Sequence, residues 1–169
     1  MFLLISGILQ TQNSISTILM DRGIFLKACN FCVYQERTQE EVRQRLRDWT
    51  VYGEEAEEII SELIQENFIN EERFSKVYAG SKFRVKKWGR RKILLELKRR
   101  GLTDYCIKKG MAEIDEEEYF LVLQALLHKK LHALRSESNP FVKNQKAAKY
   151  AMQKGYESGL IWEILKKND

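Results

Sequence analysis

The chain carries a single proline, Pro140, in 169 residues. Average usage of about 5% would give roughly eight. Proline removes a backbone donor and clashes with the preceding helical turn, so a chain nearly without it is free to be helical almost throughout. The expectation is an all-α protein. The length suits one ordinary domain or several small units sharing a core, and argues against a multi-domain enzyme. A hydrophobic content of 44% is that of a globular protein rather than a disordered one.

Lysine and arginine number 29 against 24 aspartates and glutamates, a net charge of +5, so the arrangement of charge matters more than its total. Three cysteines, Cys29, Cys32 and Cys106, are too few and odd in number for a disulfide framework. They fit a reducing, cytoplasmic setting. No apolar run reaches the roughly 18 residues of a membrane span. Met1 to Met20 carry no charge, yet no basic stretch precedes the apolar run and no cleavage site follows it, which argues against an export signal. Residues 1–20 read as an unmatched extension, with Met20 an alternative natural start.

A repeat underlies the helical pattern. Thr38-Gln39-Glu40-Glu41 has capping-box form and starts a helix with Val42 and Leu46 on one face and Trp49 near its end. Thr50-Val51-Tyr52-Gly53 forms a turn, and a second helix turns Ala56, Ile60 and Leu63 inward. A shift of 51 positions lays Ile93, Leu97, Gly101, Leu102, Ile107, Met111 and Ile114 over this template. A further 54 brings Ala147, Ala151, Gly155, Tyr156, Ile161 and Leu165 onto it. Gly101 and Gly155 then stand where a helix end calls for a left-handed residue.

Each pair is preceded by a lead helix. The first runs near Arg22 to Gln35, with Phe25, Ala28, Cys29 and Cys32 on one stripe. The second is capped by Asn70 and continues to about Arg84 with Phe74, Val77 and Tyr78. Asp115 caps the third, from Glu116 toward Arg135. The expected architecture is three tandem three-helix repeats, at residues 21–67, 70–113 and 115–168, stacked into an elongated, curved array.

Charge is segregated along the chain. Glu54 to Glu72 hold eight acidic residues and no Lys or Arg, whereas Lys82 to Arg100 hold ten basic residues opposed only by Glu96. Such density is tolerated most readily when an anionic partner relieves the repulsion, against the alternative of a solvated helix face. Trp88, within this segment, is read as packing between units rather than stacking on a base, because no aromatic ladder surrounds it. A second basic set, His128, Lys129, Lys130, His132 and Arg135, with Lys143, Lys146, Lys149 and Lys154, either extends the positive strip or faces water.

The partial matches to catalytic and cofactor motifs lack the residues that chemistry needs. Cys29-Asn30-Phe31-Cys32 has Cys-x-x-Cys spacing, but a zinc site needs a second pair of ligands and a thioredoxin-like site needs a βαβ setting. Two cysteines three apart on a helix bury well as small hydrophobes. His128 and His132 lack the intervening glutamate of a metalloprotease helix. No P-loop, dinucleotide fingerprint or serine-nucleophile motif occurs. The reading is of a non-enzyme without cofactor or metal.

The stretch Leu63 to Leu97 contains Leu-Ile-Gln-Glu-Asn-Phe-Ile-Asn-Glu-Glu-Arg-Phe and then Lys-Phe-Arg-Val-Lys-Lys-Trp-Gly-Arg-Arg-Lys-Ile. It resembles the signature of the RecX family of recombinase regulators. Asn70 replaces the family's common Asp, and Thr50 its frequent Gly, so the first turn is expected to be less left-handed than the other two. The resemblance covers about Cys32 to Lys167 and weakens in the third repeat. It implies a monomeric protein that binds the RecA filament on single-stranded DNA and restrains ATP hydrolysis, strand exchange and co-protease activity. Charge clustering and the match to the family together name Arg84, Lys86, Lys87, Arg90, Arg91, Lys98, Arg99 and Arg100 as contacts to RecA or DNA. The competing reading is a plain nucleic-acid-binding helical module with no recombinase partner.

Overall fold

The structure is a computed structural model in which residues 21–167 are described. The expectations for residues 1–20, including an alternative start at Met20, lie outside them. Nine helices and no strand occur among the described residues: α1 (Arg22–Tyr34), α2 (Gln39–Asp48), α3 (Gly53–Gln65), α4 (Glu71–Arg84), α5 (Arg90–Arg99), α6 (Asp104–Met111), α7 (Glu116–Ala133), α8 (Pro140–Lys154) and α9 (Ser158–Lys166). They pack in consecutive triplets, each helix against the other two of its triplet.

Helix starts follow local chemistry. Thr38 Oγ1 accepts from the Glu41 N–H at 3.1 Å while Glu41 Oε2 accepts from the Thr38 N–H at 3.2 Å, a complete capping box. Asp21, Thr103, Asp115 and Asn139 cap their helices by side-chain acceptance, and Pro140 takes the first position of α8, where its missing donor costs nothing. Some helix ends use a left-handed residue. Gly101 has φ +74° and Gly155 φ +97°, as the repeat register required.

Thr50 departs from expectation. Its φ is +64°, fully left-handed despite a β-branched side chain. The cause is the cap itself. The Val51 N–H donates to the Leu46 carbonyl at 2.9 Å, and this return requires a reversal at Thr50 that carries Val51 into the core. Tyr156 and Ala151, the matching residues of the third repeat, make the same bond at 3.2 Å across Gly155.

The chain divides into two compact units, up to Asn70 and from Glu71 onward. The first encloses a core of its own, with Val42, Leu46, Ile59 and Leu63 fully buried and Phe25, Ala28, Cys29 and Cys32 closing it from α1. Each such aliphatic side chain removed from water contributes about 1.5–3 kcal/mol. Arg43 ties α2 to α3, donating to Glu57 at 2.6 and 2.9 Å and to Glu40 at 2.8 Å. Its guanidinium holds both carboxyls below the usual range.

In the second unit α4 to α9 share one continuous core, from Phe83, Ile93 and Leu97 through Tyr119 and Leu123 to Ala147, Tyr156 and Ile161. Val77, placed with Phe74 and Tyr78 at the sequence level, is 55% exposed instead. The two triplets join by backbone. The Gly89 N–H donates to the Lys154 carbonyl at 2.8 Å and the Arg91 N–H to the Gly155 carbonyl at 3.0 Å, so the start of α5 is capped by the end of α8. Neither glycine leaves room for a Cβ there.

Candidate functional site

The basic segment spans the last turn of α4, the connection through Gly89, and α5. Gly89 opens α5 without a side-chain cap, and Lys98 and Arg99 occupy its last turn, where cations favour the dipole. The eight cations singled out from the sequence fall into two groups. Arg90 is half-buried. Its guanidinium lies 4.1 Å from the centre of the Tyr119 ring, pairs with Glu116 at 2.8 Å and donates to the Ile114 carbonyl at 3.3 Å. Arg100 donates to Glu96 at 3.1 Å and covers Tyr78 at 4.6 Å. Arg99 shares Glu96 at 3.2 Å but remains exposed.

Arg84, Lys86, Lys87, Arg91 and Lys98 are exposed, and none forms an ion pair with another described residue. Lys87 has φ +54°, at a reversal where the Trp88 N–H returns to the Lys82 carbonyl at 3.1 Å. These five side chains present charge to solvent with no carboxylate partner among the described residues.

Arg90 is anchored further by a buried phenol. The Tyr119 hydroxyl accepts from the Arg90 N–H at 3.0 Å and donates to Glu157 Oε2 at 2.7 Å. Burial, reinforced by the Glu157 carboxylate, raises its pKa far above the ordinary tyrosine value. Nothing in the spacing of the charges signals that Arg90 belongs to this network. Trp88 packs against the core of the second unit, with the ammonium groups of Lys92 and Lys82 over its ring at 4.3 and 5.3 Å. Its ring thus serves core packing and two cation–π contacts.

In the second basic set, Lys146 pairs with Glu137 at 2.6 Å and Lys154 Nζ donates to the Lys86 carbonyl at 3.3 Å, whereas His128, Lys129, His132 and Lys149 are exposed. Cys29 and Cys32 are buried in the first core as free thiols. Burial pushes both up, Cys32 to about 11, so they pack as un-ionised, apolar groups. Among the described residues no cluster of three or more His, Cys, Asp or Glu is placed to hold a metal ion, and no helix is long and apolar enough to cross a membrane.

The fold defines an all-α repeat protein assembled from tandem three-helix domains. The family models described as the first, second and third three-helix domains of RecX match residues 25–63, 70–111 and 116–165. The chain belongs to the RecX family. It is 27% identical over 135 residues to a protein of Amycolatopsis mediterranei named regulatory protein RecX, covering 78% of this chain and 74% of that one. A protein of the same name from Lactobacillus johnsonii is 29% identical over 133 residues, or 79% of this chain. The match spans only about half of that relative's length, 49%. The crystal structure of RecX from Lactobacillus salivarius superposes with a TM-score of 0.76 over 85% of this chain and 92% of that one, at 23% identity. The Amycolatopsis and Lactobacillus johnsonii relatives are named as regulatory proteins.

Proposed function

We propose that this chain binds the RecA filament on single-stranded DNA and restrains RecA ATP hydrolysis, strand exchange and co-protease activity. Membership of a family of regulators supplies the class. The observation that carries the reading is the set Arg84, Lys86, Lys87, Arg91 and Lys98, five exposed cations along one short segment that form no ion pair among the described residues. Pairing these cations with an anionic partner returns Coulomb energy that offsets the cost of their desolvation and relieves their mutual repulsion. The mechanism is steric and electrostatic. Helical surface held by such contacts obstructs the addition or the movement of RecA subunits, with no bond made or broken by this protein.

The test is a RecA ATPase and strand-exchange assay with the full chain titrated against RecA. Inhibition is expected by equimolar protein, and its absence there defeats the reading. Charge reversal at Arg84, Lys86 and Arg91 together is expected to abolish inhibition with helical content unchanged. A preference for RecA-coated over bare single-stranded DNA at equal ionic strength separates this reading from a plain nucleic-acid binder, whose affinity falls steeply with salt in proportion to the phosphates contacted.

A further inference from the structure

Helix α7 carries more apolar surface than its core contacts use. Tyr119, Leu123 and Leu127 are its fully buried positions, yet Leu121 stands 62% exposed and Ala125 and Ala133 are also exposed. Two neighbouring ridges run along this outer side with four-residue spacing, Leu121–Ala125–Lys129–Ala133 and Val122–Leu126–Lys130. Tyr150 and Lys154 of α8, with Lys87, complete the lining of an open groove of about 620 Å³ within the second unit. Four of the ten lining residues are lysines and none is acidic.

We infer that this groove docks an acidic amphipathic helix of a partner protein, its leucine-like side chains on the α7 ridges and its carboxylates against Lys87, Lys129, Lys130 and Lys154. Three features select that occupant. The small side chains of Ala125 and Ala133 leave a shallow channel between larger neighbours, the relief into which the ridge of another helix fits. From Leu121 to Ala133 the channel runs about 18 Å at 1.5 Å per residue, room for roughly three turns. None of the four lysines forms an ion pair with another described residue, so the rim lacks carboxylates that a partner can supply.

Single-stranded nucleic acid fits less well. Tyr150 is the one aromatic side chain of the lining, and the ammonium groups of Lys130 and Lys154 lie over its ring at 5.0 and 5.9 Å, where a base would stack. The rest of the floor is aliphatic. The groove shares Lys87 with the exposed cations of the basic segment, whereas Arg84, Lys86, Arg91 and Lys98 lie outside its lining, and its assignment does not depend on the filament reading.

The probe is a fluorescein-labelled peptide of about fourteen residues, with leucines spaced every third or fourth position on one face and glutamates elsewhere. Its binding to the full chain is followed by fluorescence anisotropy. Saturable binding is expected, weakened about tenfold or more by Ala125→Glu and by Lys129→Glu, each with an unchanged circular dichroism spectrum. Leu121→Gln, a milder change at an exposed position, is expected to weaken it as well. A scrambled peptide whose leucines do not share a face is expected to bind at least about tenfold more weakly. The proposal is overturned by absent binding, by equal binding of the scrambled peptide, or by indifference to all three substitutions. It is equally overturned if an oligothymidylate displaces the peptide and loses as much affinity to Ala125→Glu.

Discussion

Gly89 and Gly155 meet backbone to backbone: a Cβ built on Gly89 would fall on the carbonyl group of Gly155. The obstacle is main chain, itself held by the Arg91 N–H at 3.0 Å, so it cannot swing aside as a flexible side chain would. Gly89→Ala is therefore expected to destabilise the protein by about 2–3 kcal/mol, the cost of overpacking a well-filled site. Urea unfolding of the full chain measures it, and an unshifted midpoint would show that the two triplets do not share this contact.

Thr50 offers the opposite change. A β-branched residue at φ +64° carries a steric cost of about 1–2 kcal/mol that glycine avoids, part of which returns as unfolded-chain entropy. Because the side chain is exposed, nothing in the core is lost by removing it. Thr50→Gly is expected to raise stability by about 0.5–1 kcal/mol, read as a higher midpoint with an unchanged denaturant slope.

Two buried tyrosines make stability fall with alkalinity. Burial raises the pKa of Tyr119 and of Tyr156 well above the unfolded value of about 10. The fold thus holds protons that the unfolded chain releases. Their stabilising contribution is complete below about pH 10 and declines above it, by up to about 1.4 kcal/mol per pH unit for each ring. Tyr119→Phe and Tyr156→Phe should each shallow that decline. At neutral pH they differ. The Tyr119 hydroxyl joins the Arg90 N–H to Glu157, so its loss is expected to cost about 1–2 kcal/mol. The Tyr156 hydroxyl bonds no group among the described residues, so its removal is expected to cost less. Chemical denaturation of each variant between pH 7 and about pH 11 provides both comparisons.

Adjacent arginines should behave differently. Arg90→Ala removes the stack on Tyr119, the pair with Glu116 and the bond to the Ile114 carbonyl, and is expected to cost about 1–2 kcal/mol. Arg91→Ala touches an exposed side chain with no ion pair and is expected to stay within about 0.5 kcal/mol. Thermal unfolding of the two variants side by side checks this. Equal losses would place Arg91 in the framework as well.

The helical architecture was legible because its signals are local or periodic. The Thr38–Glu41 box, the Asp115 cap and the matched glycines Gly101 and Gly155 each act within a turn, and the repeat of about fifty residues multiplies them. At Thr50 residue preference alone points the wrong way, because the tertiary demand that Val51 reach the core overrides it. Charge density located the basic segment but could not sort it. Whether Arg90 faces solvent depends on Tyr119, 29 positions away, and no spacing rule reaches that far. The groove left a fainter trace. Phe120-Leu121-Val122-Leu123 and Ala125-Leu126-Leu127 are together too broad for one buried stripe, a surplus that a search for core positions passes over.

The peptide seam between the start of α5 and the end of α8 also separates two kinds of evolutionary freedom. Its bonds run between main-chain atoms, so apart from the two glycines it makes little demand on residue identity. The outward-facing lysines and arginines around it can therefore be exchanged, to suit a different partner, while the joint between the triplets endures.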